Sequence, residues 1–515
     1  MSTFNLNRRE FLASGCSLAG ATLLTAAGCT SNDDPVAPSP LSAIRGRGAP
    51  AKDDDLAEPR MIASIGGVLA ATITASTNPV VVGGRQAAQP VTYDGTFPGP
   101  TLWAHPGDTI DLTFVNKIVF DQADTKPGYG RPPRVANRAN LHYHGMHVSP
   151  VGTADNMLVM VEPRGVFHYA FLIPPDHPAG LFWYHEHVHG LVTNHVARGA
   201  AGMLYVAGHQ TEEVARLGIR HRLMMLQQAY FAEDLRTLIF DDGERDNPER
   251  ALSLINGQLM PEIHMRPGEV QVWSLCNGST SAFYQLRAAS HTFDVIARDG
   301  VPLVAAQRAQ QRLFLVTGNR AEVIVRASAE PGRYPLSFDT YDQGRDVWPA
   351  KPLATIVVEG EPWQGPDHPG VDRSVPIEDL SGLPVPAERH RTIVFGENFD
   401  VPEGEFGRFT INGHAWDPNY REWVSTLGTV EEWLITNETD QEHPFHVHVN
   451  PFQVTQVNGA PVSFEGHVDT AIIPRFGSIT VRTRFRDFAG APVLMHCHIL
   501  DHEDMGMMTR FDIAE

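Results

Sequence analysis

Tyr93-Asp94-Gly95-Thr96-Phe97-Pro98-Gly99-Pro100 leads through Pro106-Gly107-Asp108 into Thr109-Ile110-Asp111-Leu112-Thr113-Phe114-Val115, which stops at Asn116. Two glycine turns bracket a run in which polar and apolar residues alternate, the period-two pattern of a half-buried strand. The pattern returns at Ile255-Asn256-Gly257, Pro267-Gly268-Glu269 and Asn277, and again at Ile411-Asn412-Gly413, Leu427-Gly428-Thr429 and Asn437. In each copy the asparagine follows the second turn's glycine by nine residues. The copies start at Gly95, Gly257 and Gly413, offsets of 162 and 156 residues, so the chain reads as a β-sandwich unit used three times. Coincidental likeness of glycine turns is the plain alternative.

Size and composition agree with the repeat. At 515 residues the chain is two to three times an ordinary domain, and 42% hydrophobic and 19% charged residues with 45 Gly and 39 Pro suit a globular, turn-rich, all-β protein. Units are expected at 61–208, 215–362 and 392–515, with a linker at 363–391. Forty basic against 60 acidic residues give −20, which argues against a nucleic-acid or anionic-membrane partner and mildly favours cationic or neutral substrates.

Residues 1–29 read as an export signal. Asn7-Arg8-Arg9-Glu10-Phe11-Leu12 precedes a short run of small and apolar residues, Ala13 to Gly28, too short for a typical membrane span. The paired arginines look like a twin-arginine signal, although Ala13 stands where a lysine is common. Ala26-Ala27-Gly28-Cys29 resembles a lipoprotein cleavage box, with Ala26 where leucine is more usual, so lipid attachment at Cys29 and ordinary cleavage nearby both stay open. Either outcome places the protein outside the cytoplasm, in the periplasm or envelope. Residues 30–60, rich in Ser, Pro, Ala and Asp, read as a disordered linker.

Four histidine clusters carry the chemistry. The first unit holds His142-Tyr143-His144-Gly145 and Trp183-Tyr184-His185-Glu186-His187. The third holds His443-Pro444-Phe445-His446-Val447-His448 and His496-Cys497-His498-Ile499-Leu500-Asp501-His502-Glu503-Asp504-Met505-Gly506-Met507. One His-x-His pair is weak, since two histidines on one strand face are more often structural. Ten imidazoles confined to two units, with a cysteine inside the last motif and a methionine after it, select copper among the borderline metals.

Strand alternation sends His496 and His498 to one face and Cys497 to the other, so one short segment touches two metal sites. On the Cys497 side, His443, His502 and Met507 complete the two-His, one-Cys, weak-thioether set of a blue electron-transfer copper. Met507 as an apolar plug is the alternative, because Met505 and Met508 sit beside it. Cys276, in Val272-Trp273-Ser274-Leu275-Cys276, reads as a buried small hydrophobe, although spacing leaves a bridge to Cys497 open. The middle unit has no paired-histidine motif; His264 and His291 read as ordinary polar residues, and the unit as one without copper that spaces and shapes the others.

From Met61 to Glu515 the chain resembles the three-domain multicopper oxidases, the family of laccases and bacterial copper-efflux oxidases. The resemblance implies three consecutive cupredoxin-like Greek-key β-sandwich domains and four coppers per chain. It implies that His443, Cys497, His502 and Met507 bind the type 1 copper, and that His142 and His446 bind the type 2 copper. It implies that His144, His185 and His498 hold one type 3 copper and His187, His448 and His496 the other. Electrons would enter singly at the type 1 site, cross through Cys497 to its flanking histidines and, four at a time, reduce dioxygen to water.

Water formation needs protons. Glu503, beside His502, and Asp155, which follows the first histidine pair, are the candidates for that relay; a solvated Glu503 and a turn-forming Asp155 are the alternatives. The expected partners are a small-molecule or metal-ion reductant and O2, with membrane contact only through a lipid on Cys29, and the chain is expected to be a monomer. Asp440 and Glu442 precede His443 and could attract cationic donors. The 14 methionines form no rich run of the kind that copper-efflux members carry. A laccase-like oxidase of phenols or similar aromatics is therefore favoured, with oxidation of cuprous or other metal ions second. A non-enzymatic copper carrier or envelope scaffold is the reading of another class. His147, His189 and His195 lie near the pairs and read as packing or supporting residues.

Overall fold

The structure, a computed structural model, describes residues 55–120, 137–238, 248–367 and 377–515. The export signal, the Cys29 box and the first part of the following linker lie outside the described residues. The strands form three pairs of facing sheets. The first pair has the order Met61–Ala63, Gly99–Ala104, Ala201–Val206, Gly180–His185, His142–His144 in one sheet, and Val68–Ser76, Thr109–Lys117 and Val166–Leu172 at the centre and one edge of the other. The middle and third pairs each combine a six-stranded with a five-stranded sheet. The fold is the all-β, cupredoxin-like sandwich architecture expected.

The repeat has a physical basis. In all three units the first long strand lies parallel to the strand that follows the second turn: Val68–Ser76 on Thr109–Lys117, Arg220–Ala229 on Val270–Asn277, His390–Glu397 on Val430–Asn437. Asp94, Asn256 and Asn412 sit at φ of 53°, 52° and 53°, each followed by a glycine with positive φ. Two consecutive left-handed residues make a type I′ hairpin turn, which Asp-Gly and Asn-Gly adopt at least cost. Each side chain then accepts a backbone N–H from the first long strand: Thr74 at 2.7 Å, Met225 at 2.8 Å and Val394 at 2.8 Å.

The asparagines that end the pattern also share one task. The side-chain oxygens of Asn116, Asn277 and Asn437 accept the N–H two residues on, from Ile118, Ser279 and Thr439, at 3.0, 3.1 and 2.9 Å. Their amide groups donate across the sandwich to carbonyls of Val161, Leu315 and Pro474. Such bonds contribute about 1 kcal/mol each, whereas each fully buried large apolar side chain contributes about 1.5–3 kcal/mol. The three cores, around Phe114 and Tyr169, Trp273, and Trp433, therefore supply the stability, and the asparagines fix how the sheets meet.

One expectation is corrected. Residues 55–60, read by composition as the end of a disordered linker, pack on the middle unit. Asp55 bridges to Glu262, Leu56 is buried in the middle core, and a Glu58 carboxylate oxygen accepts the Leu223 N–H at 3.1 Å. A single apolar residue carries no periodicity, so the sequence pattern could not show it. Among 377–391, the second part of the expected linker, Leu380, Ser381 and Leu383 offer their carbonyls to one Arg482 nitrogen.

Candidate metal centre

Two short strands bring the histidines together. In the first unit His142–His144 pairs with Gly180–His185 so that His142 faces His185, while Tyr143 and Tyr184 turn into the core. In the third unit His443–Val447 pairs with Ala491–Cys497, setting His446 opposite His496 and Phe445 opposite Cys497. Alternation puts His446 and His496 on the face towards the first unit's histidines, and Cys497 on the side of the third core.

On the histidine side the rings converge nitrogen to nitrogen. His496 Nε2 lies 3.1 Å from His448 Nε2 and 3.4 Å from His187 Nε2; His498 Nε2 lies 3.2 Å from His144 Nδ1. Donor atoms of His144, His185 and His498 fall within 4.8 Å of one another, as do those of His142, His144 and His446. On the other side Cys497 Sγ is 3.4 Å from His443 Nδ1 and 3.6 Å from His502 Nδ1, and these nitrogens are 3.1 Å apart. Met507 is buried in the same core as Cys497, and its carbonyl accepts the Cys497 N–H. Cys276 is a free, buried thiol, so it forms no bridge to Cys497.

These residues fit copper on their own chemistry. Nε2 of His142, His185 and His446 and Nδ1 of His498 are buried with no hydrogen-bond partner, a costly state for a protein without a bound ion. Burial, reinforced by neighbouring imidazoles, holds His142, His144, His448 and His498 well below the ordinary histidine range, so the rings are neutral and present lone pairs. Burial pushes the Cys497 thiol well up, so it is the binding of a metal that would displace its proton.

Models of the family described as multicopper oxidase match residues 134–211, 182–362 and 392–515, which contain every one of these histidines. The chain belongs to the multicopper oxidases. It is thus a copper-dependent oxidoreductase that uses O2, of a family that binds four coppers. Relatives include the multicopper oxidase mco of Staphylococcus haemolyticus, 23% identical over 82% of this chain and 83% of that protein, and a laccase of Haloferax volcanii, 24% identical over 81% and 77%. Among solved structures, the Campylobacter jejuni multicopper oxidase described as a metallo-oxidase superposes with a TM-score of 0.73 at 23% identity, covering 90% of this chain and 94% of the other.

In this oxidase several of the rings are held at one nitrogen, which aims the other. His142 Nδ1 donates to Asp155 at 3.0 Å, His185 Nδ1 to the Glu186 carbonyl at 2.8 Å, and His446 Nδ1 to the Asp469 carbonyl at 2.8 Å. His443 Nε2 donates to Thr439 Oγ1 at 2.7 Å. Glu503, fully buried, sits between His496 Nδ1 at 3.1 Å and His187 Nδ1 at 3.5 Å. Burial would raise its carboxyl, but His496 and His187 outweigh that and bring it down to about 2; burial pushes Asp155 up to about 7. Glu503 is thus buried rather than solvated, and the Asp155 carboxylate, at the end of a bend, bonds His142 and the Tyr143 N–H.

Three supporting residues have no counterpart in the sequence reading. Asp469 lies 3.2 Å from His144 Nε2, and Arg320 of the middle unit holds its carboxylate. Glu186 accepts the N–H groups of Asn140 and Val188, fixing the His185–His187 turn. Two glycines make room for this seam: a Cβ on Gly145 would lie 2.2 Å from Arg320 Nη2, and one on Gly318 would lie 2.8 Å from the His498 ring. The middle unit thus supplies Arg320 to the surroundings of the cluster. The surplus histidines have other work: His147 donates to the Val449 carbonyl at 2.8 Å, and His195 stands 3.4 Å from Glu186. Asp440 bonds Arg345 and Glu442 bonds Tyr341.

His502 borders a cavity of about 300 Å³ whose wall includes Phe409, Met505, Asp501, Asp346 and Glu403. The Phe409 ring stacks on His502 with centroids 4.0 Å apart.

Proposed function

We propose that His443, Cys497, His502 and Met507 hold the type 1 copper and that His142 and His446 hold the type 2 copper. His144, His185 and His498, and separately His187, His448 and His496, hold the type 3 pair. Copper held there would supply one-electron transfer from the reductant and the four-electron reduction of dioxygen to water. The favoured reductant is a small phenol or similar aromatic, entering the cavity over His502. The observation that carries this is the cavity itself: it has room for an aromatic ring, it ends on His502, and its acids Asp501 and Glu403 can take the proton that a phenol sheds on losing an electron.

Glu503 and Asp155 are proposed to move protons to the oxygen-reducing side. Their support is positional: each carboxylate is buried and bonded to a histidine of the cluster. Cuprous ion is the second reading, favoured by the Met505 thioether lying in the same wall as Asp346, Glu403 and Asp501. Oxygen uptake by the copper-loaded protein on a phenol and on cuprous ion, each repeated with Met505→Leu, separates the two. Uptake on cuprous ion alone, lost in the variant, would sink the phenol reading.

The leader supports export by the twin-arginine route to the cell envelope, with Cys29 as a candidate lipid anchor. The mass of the mature protein from a membrane fraction tests the anchor: an N-terminus past Cys29 excludes it.

A further inference from the structure

The sequence scatters 14 methionines, and the fold gathers three of them. Met157, Met160 and Met508 line a cavity of about 260 Å³ with His189 and Trp416, and His187 forms part of its wall. Met157, Met508 and Trp416 pack in one cluster, and the His189 ring centroid lies 6.1 Å from that of Trp416. Met160 is 54% exposed and His187 2%, so the cavity reaches from the surface to a histidine of the cluster. Arg138, the charged group in the wall, is paired with Glu162 at 2.8 Å, and among the described residues the lining offers no carboxylate to a hard divalent cation.

What the lining does offer is sulfur, imidazole and an indole face. Thioethers and imidazole together select a soft monovalent ion, and indole is the aromatic face best suited to a cation. A passage for dioxygen would need the apolar wall but not the sulfur, which leucine could replace at similar volume. We propose that this cavity binds one cuprous ion, in addition to the four coppers of the oxidase and away from the cavity over His502.

Silver ion, a redox-inert monovalent analogue, is the probe. Titrated into the copper-loaded protein, it is expected to bind with one equivalent more than in the double variant Met157→Leu/Met160→Leu, and to quench indole emission. Trp416→Phe should keep that equivalent and lose the quench. Each single methionine variant should weaken it by about tenfold or more, the usual scale for disturbing a metal site; these milder changes keep the comparison open should the double variant fail to load copper. Equal silver stoichiometry and affinity in wild type and methionine variants would overturn the proposal and leave an apolar passage.

Discussion

Arg320 places Nη1 2.9 Å from Oδ1 of Asp469, and that same oxygen lies 3.2 Å from His144 Nε2, so a cation of the middle unit steadies a histidine of the cluster. Both partners are buried, and removing one leaves the other uncompensated at a cost of about 3–5 kcal/mol. In Arg320→Met the affinity of the histidine cluster for copper should fall by about 10–100-fold, while the Cys497 side keeps its blue colour. Copper per chain measured beside visible absorption checks this; four tightly held coppers would remove Arg320 from the centre.

Cys497→Ser should abolish the blue colour and substrate oxidation. The histidines on the opposite face keep their neutral rings and their partners, so the cluster should still take up metal. A variant that stays blue would break the assignment.

Glu503→Gln keeps the shape of the side chain and removes its charge between His187 and His496. At full copper loading, oxygen uptake should fall by about 100-fold or more, the scale of losing one positioned proton carrier. Unchanged turnover with an unchanged pH profile would show that the carboxylate only orients the two rings.

Thr439 accepts the His443 Nε2 hydrogen, which makes the imidazole a stronger donor through Nδ1. Thr439→Val withdraws that support, favours the cuprous over the cupric state, and should raise the potential of copper bound beside Cys497. Redox titration of the blue band is the measurement, and a lowered potential contradicts the reasoning.

His177 is buried; its Nε2 accepts the His147 N–H at 3.0 Å, and burial pushes its pKa down to about 3. The depressed value means stability present above pH 6.5 and lost as pH falls towards 3, because the unfolded chain takes up a proton that the folded chain refuses. The slope is at most about 1.4 kcal/mol per unit. His177→Gln retains an acceptor and removes the titration, so its melting temperature should decline less than that of wild type between pH 6.5 and 4.5. Coincident acid limbs would refute the assignment.

The turns and paired histidines were legible because their causes are local. Asp94-Gly95, Asn256-Gly257 and Asn412-Gly413 announce a left-handed pair whatever surrounds them, and alternation alone separates Cys497 from His496 and His498. Asp469 was not legible, since its partner His144 lies 325 positions earlier and nothing in Val468-Asp469-Thr470 points there. Arg320 left a faint signal, a cation opening the largely apolar strand Arg320–Arg326, where a buried charge demands a partner. The cavity at Met157 and Met508 draws on residues 351 positions apart in sequence, beyond any motif.

His144 and His498, 354 positions apart, meet across the seam between the first and third units. An ion gripped by both ties the chain into a loop spanning most of its folded length, and in the chain-entropy picture such a tie withdraws about 6 kcal/mol of freedom from the unfolded state. Copper is then a clasp as well as a reagent. Starved of metal, the protein should part first along that seam, so its durability depends on the supply of the element it uses.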